Sequence, residues 1–137
     1  MNADQIRSID AGARLHFTYR PDGSRDLWRS HADAVLSGRA WAGDCDDLAS
    51  TVLDLLGRAG LALEKRYRLA ASTRGTETVD HLIAAAMDAN GGFWIVGDTF
   101  GPAYPAGRCR HRLIEYQNLA EVRTGERRWR AGAPWPT

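Results

Sequence analysis

The sequence predicts an α+β fold, and two patterns carry that prediction. Leu48, Val52, Leu55, Leu56 and Ala59 fall at i, i+4, i+7, i+8 and i+11, one apolar stripe of an α-helix. Further on, a nearly unbroken small and apolar run over 79–87 meets the turn sequence of 88–92, and Phe93, Trp94, Ile95 and Val96 follow as a returning strand. Helical signals therefore come first and strand signals after them, as expected for helices packed on an antiparallel sheet rather than for alternating βα units.

The first element is an extended segment over 14–20, ended by the turn residues Pro21, Asp22, Gly23 and Ser24. A short helix is predicted over 26–36, with Leu27, Trp28, His31 and Val35 on neighbouring positions and Gly38 as its stop. The striped segment that follows is the central buried helix, with Asp44 as N-cap and Gly57 and Gly60 at its exit. Alternation of Tyr67, Leu69 and Ala71 with Arg68, Ala70 and Ser72 predicts a strand, and the 79–87 run predicts one buried on both faces. Its hairpin partner closes at Asp98. A Gly/Pro loop spans 101–107, residues 112–116 form another strand, and 120–130 fits no single element. The chain reads as one domain over 1–137, with Pro and Gly loosening its end from about residue 131.

Composition narrows the function class. The 137 residues are 44% hydrophobic and 26% charged, enough for one domain with its own core and unlike a disordered chain. No apolar run reaches the roughly eighteen residues of a membrane span, and the first five residues lack the basic start and apolar stretch of a signal peptide, which predicts a cytoplasmic product. A phage-associated product, or one exported by another route, stays open. Cys45 and Cys109 then read as free thiols. From Arg108 onward seven Arg face three Glu, but the whole chain carries only +1, which argues against a dedicated nucleic-acid binder.

The chemistry concentrates around Cys45. It occupies the first turn of the central helix, where unpaired N–H groups and the helix dipole favour a thiolate. Asp44, Asp46 and Asp47 act in the opposite direction, so the helix end alone cannot activate the thiol and a base is required. His81 opens the buried strand and Asp98 closes its partner. With a four-residue loop, residue 88 pairs with 93, 83 with 98 and 81 with 100, making His81 and Asp98 diagonal neighbours on one face. Asp98 can then hold one imidazole nitrogen while the other faces Cys45, the division of labour of a nucleophile, base and orienter.

Gly43, Asp44, Cys45, Asp46, Asp47, Leu48 and Ala49, followed by Leu53 to Gly60 and then by the strand-opening His and strand-closing Asp, resemble the bacterial transglutaminase-like cysteine peptidases. Upstream, Phe17, Thr18 and Tyr19, Asp26 to Trp28 and Leu36 to Gly38 are similar to that family's lead-in. The resemblance covers residues 10–100. It implies a papain-like or transglutaminase-like core with Cys45 as nucleophile, His81 as base, Asp98 as orienter and a protein or peptide as substrate. Some members of the family bind calcium through acids beside the cysteine, positions matched here by Asp44, Asp46 and Asp47, and carboxylates suit a hard cation. The simpler reading of the three acids is a helix cap facing solvent.

The expected activity is hydrolysis of a peptide or isopeptide bond through a thioester, with no required cofactor. Two alternatives remain at this level: acyl transfer to an amine, and a non-catalytic binding module of a larger phage or envelope assembly. Cys109 and His111 offer only half a zinc site. Trp28 and Trp41 offer an indole N–H for an oxyanion hole or a wall for a substrate site, and core packing accounts for both at least as well.

Overall fold

The chain begins with a helix that the apolar pattern does not announce, α1 (Ala3–Arg14). In this computed structural model, which describes residues 1–21, 28–125 and 128–136, Asn2 and Gln5 form a reciprocal capping box, each side chain accepting the other's backbone N–H at 2.9 Å. The inward face of α1 carries Ile6, Asp10 and Ala13. A carboxylate in the middle of that stripe breaks the periodicity by which a helix is read from sequence.

The extended segment expected over 14–20 is shorter, because Arg14 still belongs to α1: it is strand β1 (Phe17–Tyr19), which pairs in parallel with an unpredicted strand, β2 (Trp41–Gly43). Between them lies α2 (Ala32–Leu36), shorter than the helix expected over 26–36. Residues 22–27, with most of the predicted turn, fall outside the described residues. The N–H of Trp28 donates to Asp46 Oδ2 and that of His31 to Thr51 Oγ1, at 3.2 and 2.8 Å, so the following helix captures this backbone before α2 begins.

The central helix, α3 (Cys45–Arg58), forms as the stripe predicts, with Leu48, Val52 and Leu56 wholly buried. Gly57 lies inside it, and the exit is at Gly60, whose φ of +106° few other residues adopt. Strands β3 (Arg66–Ser72), β4 (His81–Met87), β5 (Phe93–Val96), β6 (Tyr104–Pro105), β7 (Arg112–Asn118) and β8 (Arg130–Ala131) form an antiparallel sheet in the order β6-β5-β4-β3-β7-β8. A short helix, α4 (Leu119–Arg123), and β8 share the segment that fitted no single element.

Strand β4 is buried on both faces, as expected, but it starts at His81: Val79 and Asp80, inside the predicted run, precede it and are exposed. Ala84 and Ala86 join the layer formed with α1 and α3, while Ile83 and Ala85 pack with Leu69, Ile95 and Tyr104 on the other side. Small side chains on the helix-facing side let α3 lie close against the strand that starts at His81. Trp135 packs on Phe93 with ring centroids 5.7 Å apart.

The hairpin register corrects the expected one. Met87 pairs with Phe93 and Ala84 with Val96, so the loop has five residues, 88–92, rather than four. Asp88 sets this length: its backbone N–H reaches Gly92 O at 2.8 Å, and its Oδ1 accepts the N–H groups of Asn90 and Gly92, each at 2.9 Å. Continued regularly, this register would place residue 98 opposite 82 and turn Asp98 away from His81. Gly97, at φ +61°, ends the regular strand first and redirects the chain.

Candidate functional site

Strand β2 delivers the chain to Cys45. Trp41 is buried, stacked on His31 with centroids 5.0 Å apart, and its indole N–H donates to Ala13 O at 3.2 Å. That arrangement is core packing rather than a substrate wall. Asp44 and Asp47 then form a capping box, with Asp44 N–H donating to Asp47 Oδ2 at 3.1 Å and Asp47 N–H to Asp44 Oδ1 at 3.5 Å. Gly43 is required beside it, because a Cβ there would stand 2.5 Å from Asp47 Oδ2.

Cys45 is half-buried at the start of α3. Burial pushes its thiol up to about 11; N–H groups of Leu82 and Asp46 donating to the sulfur pull the other way, and the charges of Asp44 and Asp46 add to the rise. The upward pressure from the acids matches the sequence expectation, and burial exceeds it. The contact with Leu82 also ties the sulfur to the residue after His81. Cys45 and His81 line one open cleft of about 570 Å³, together with Tyr19, Arg74, Asp80 and Phe100.

His81 and Asp98 meet. His81 Nε2 lies 2.9 Å from Asp98 Oδ1, and the Asp98 side chain is wholly buried. Burial acts to raise the Asp98 pKa, but the His81 hydrogen bond, the Phe100 N–H and the adjacent imidazoles outweigh it and hold the carboxyl well below its ordinary range. With Nε2 engaged by Asp98, Nδ1 is the ring nitrogen left for other chemistry.

Four residues that the sequence reading did not place at the site support Asp98. His111, just ahead of β7, brings Nε2 to 2.8 Å from Asp98 Oδ2, and Tyr104 donates its hydroxyl to the same oxygen at 2.9 Å. From α1, Arg14 donates to Asp98 O at 2.7 Å and pairs with Asp10 at 2.7 Å. The buried Asp10 carboxylate also accepts the N–H groups of Gly97 and Ala103, at 2.7 and 2.9 Å. In the sequence His111 stands out only beside Cys109, whereas its partner Asp98 lies 13 residues away. Cys109 is half-buried, its thiol raised chiefly by burial.

Asp44, Asp46 and Asp47 come together, each offering a carboxylate oxygen within 4.8 Å of the others. Asp44 and Asp47 do cap the helix, but the group does not simply face solvent: Asp46 is 1% exposed and Asp47 6%. Three clustered carboxylates are the hard-oxygen donor set that suits calcium.

No family model matches the chain, and no curated protein does. Among solved structures, calcium-bound LapG of Legionella pneumophila is similar, with a TM-score of 0.63, 20% identity, and coverage of 84% of this chain and 64% of that one. LapG of the same organism without a stated ligand gives 0.61 at 19% identity, covering 90% of this chain and 73% of that one. The EGTA-treated form gives 0.62 at 18%, covering 93% and 70%. The chain thus has the α+β, transglutaminase-like core expected of it, and spans about two thirds of the LapG chains.

Proposed function

We propose that the chain is a cysteine peptidase or amidase that hydrolyses a peptide or isopeptide bond through Cys45, His81 and Asp98. The observation that carries the reading is the 2.9 Å bond between His81 and Asp98, in a site where His81 and Cys45 border the same cleft. Half-buried Cys109 lies beyond that cleft lining.

A thiol raised to about 11 is protonated near neutral pH, so its proton has to leave as attack begins. His81 Nδ1 takes that proton while Sγ forms a bond to the substrate carbonyl carbon, and the carbonyl π electrons move to oxygen. Cys45's own N–H, at the open first turn of α3, is the candidate donor to that oxyanion. When the intermediate collapses, the C–N bond breaks, the amine leaves with the proton from His81, and a thioester remains. Water then attacks the thioester as His81 takes its proton. Collapse releases the carboxylic acid and returns the proton to Cys45. Asp98 stays ionised throughout and stabilises the imidazolium.

Asp44, Asp46 and Asp47 would hold a calcium ion. When bound, its charge offsets the carboxylate field that raises the Cys45 pKa. The calcium-bound and EGTA-treated forms of LapG support this reading.

The test is incubation with a proteome-derived peptide library, scored by mass spectrometry for new termini. Wild-type protein should generate termini that Cys45→Ala and His81→Ala do not, with both variants folded. Equal cleavage by either variant would sink the peptidase reading. Amine-linked products in place of new carboxyl termini would indicate acyl transfer, and an inert folded wild type would leave the binding-module alternative.

A further inference from the structure

We propose that His111 is a positioning residue of this site, holding the Asp98 carboxylate so that its other oxygen fixes the tautomer and orientation of His81. The proposal rests on the reading of His81 as general base and adds a residue beyond the triad.

A carboxylate offers about four lone-pair positions. Asp98 fills four: Oδ1 receives His81 Nε2 and the Phe100 N–H, and Oδ2 receives His111 Nε2 and the Tyr104 hydroxyl, all between 2.8 and 2.9 Å. Neither imidazole can approach an ionised carboxylate in this way without a proton on Nε2. Both neutral rings are therefore Nε2–H tautomers, and the lone pair of His81 lies on Nδ1, where a general base facing the cleft needs it.

The division between the two oxygens is what makes His111 matter. Oδ1 is bound by groups at the cleft, whereas Oδ2 is bound by β6 and by the segment entering β7, elements anchored in the sheet. His111 is itself buried, its side chain 2% exposed, and a buried imidazole is costly unless its polar atoms are paired. The rings of His81 and His111 stand edge to face at 4.8 Å, with Phe100 at 5.0 and 4.8 Å from them, so a rotation of the carboxylate moves both rings together. Without His111, Oδ2 keeps only Tyr104 and the carboxylate plane is free to turn. His81 then loses its preference for the Nε2–H form.

Long-range proton–nitrogen spectra of the histidine rings test this directly, at a pH where both rings are neutral. In wild-type protein both His81 and His111 should show the Nε2–H tautomer. An Nδ1–H tautomer at His111 would overturn the proposal without any variant being made. In His111→Phe, which keeps a ring but removes the donor, His81 should become a mixture of tautomers, and kcat should fall about tenfold to hundredfold with KM little changed. His111→Gln restores an N–H donor and should recover most of both. If folded His111→Phe keeps His81 wholly in the Nε2–H form, His111 has no positioning role. The tautomer readout requires no turnover, so failure of the peptidase reading would be seen separately, as a wild type that cleaves nothing.

Discussion

Cys45 shows how one residue is placed between opposing demands. The start of α3 favours a thiolate, while burial and two neighbouring carboxylates favour the thiol and win, holding its pKa near 11 against an ordinary 9.0. In the unfolded chain the thiol ionises at lower pH than in the folded one. Its contribution to stability is therefore complete below pH 9 and is lost as pH rises towards 11. Urea midpoints at pH 8 and pH 10.5 should fall further in wild type than in Cys45→Ala, whereas equal falls would mean that the folded site does not disfavour the thiolate. Asp98 titrates with the opposite sign. Its folded pKa is depressed, so its contribution is present above the ordinary carboxylate range and disappears as pH drops below it. On the proposed mechanism, Asp98→Asn keeps the shape but removes the charge that would stabilise the imidazolium, so hydrolysis should fall by about 10²- to 10⁴-fold in kcat. A wild-type rate in that variant would remove Asp98 from the mechanism.

At the scale of elements, the decisive junction is where β5 ends against α3. Gly97 adopts φ +61°, and a Cβ there would stand 2.6 Å from Ala49 Cα, a backbone atom that cannot step aside. Gly97→Ala should cost about 2–4 kcal/mol, combining the left-handed penalty with overpacking. A urea-derived loss below about 1 kcal/mol would show that this junction can move off the helix. Helix α1 fixes the same junction from the other side through Asp10, which accepts the N–H groups of Gly97 and Ala103 and pairs with Arg14. Asp10→Ala leaves those groups without their partner and a half-buried guanidinium uncompensated, at an expected cost of about 3–5 kcal/mol. Asp10→Asn should lose less. An equal loss in the two variants would mean that the charge of Asp10 is immaterial.

For the molecule as a whole, ion binding is the property most open to measurement. If calcium binds Asp44, Asp46 and Asp47, saturation at a hundredfold excess over Kd should stabilise the fold by about 2.7 kcal/mol, seen as a rise in Tm that EGTA reverses and Asp46→Asn diminishes. A calorimetric titration without heat, together with an unmoved Tm, would end the calcium reading. The basic C-terminal part is partly neutralised, by an acid of its own where Arg130 pairs with Glu121 at 2.5 Å and by one from the loop before β4 where Arg112 pairs with Glu77 at 3.5 Å. That pairing accords with a solvated face rather than a nucleic-acid surface. No helix among the described residues is long and apolar enough to cross a membrane.

Local patterns were enough to specify several elements. Periodicity alone marks α3, alternation and apolar runs mark β3 to β5, and the helix-start position of Cys45 follows from the cap at Asp44. These features depend on neighbours a few residues apart. Helix α1 was not read because a buried carboxylate breaks its stripe, although its Asn2 and Gln5 box was visible in the sequence. The meeting of His81 and Asp98 was expected for an incomplete reason: the actual register is one residue away from the one assumed, and Gly97 restores the encounter that the shift would have removed. His111, Tyr104, Asp10 and Arg14 acquire their roles only when β6, the entry to β7 and α1 converge on one end of the sheet. For α3 and β3 to β5, the sequence determined helix or strand through short-range periodicity and capping. Tertiary structure decided which polar groups face each other, because a buried carboxylate must find donors wherever packing brings them, irrespective of their separation along the chain.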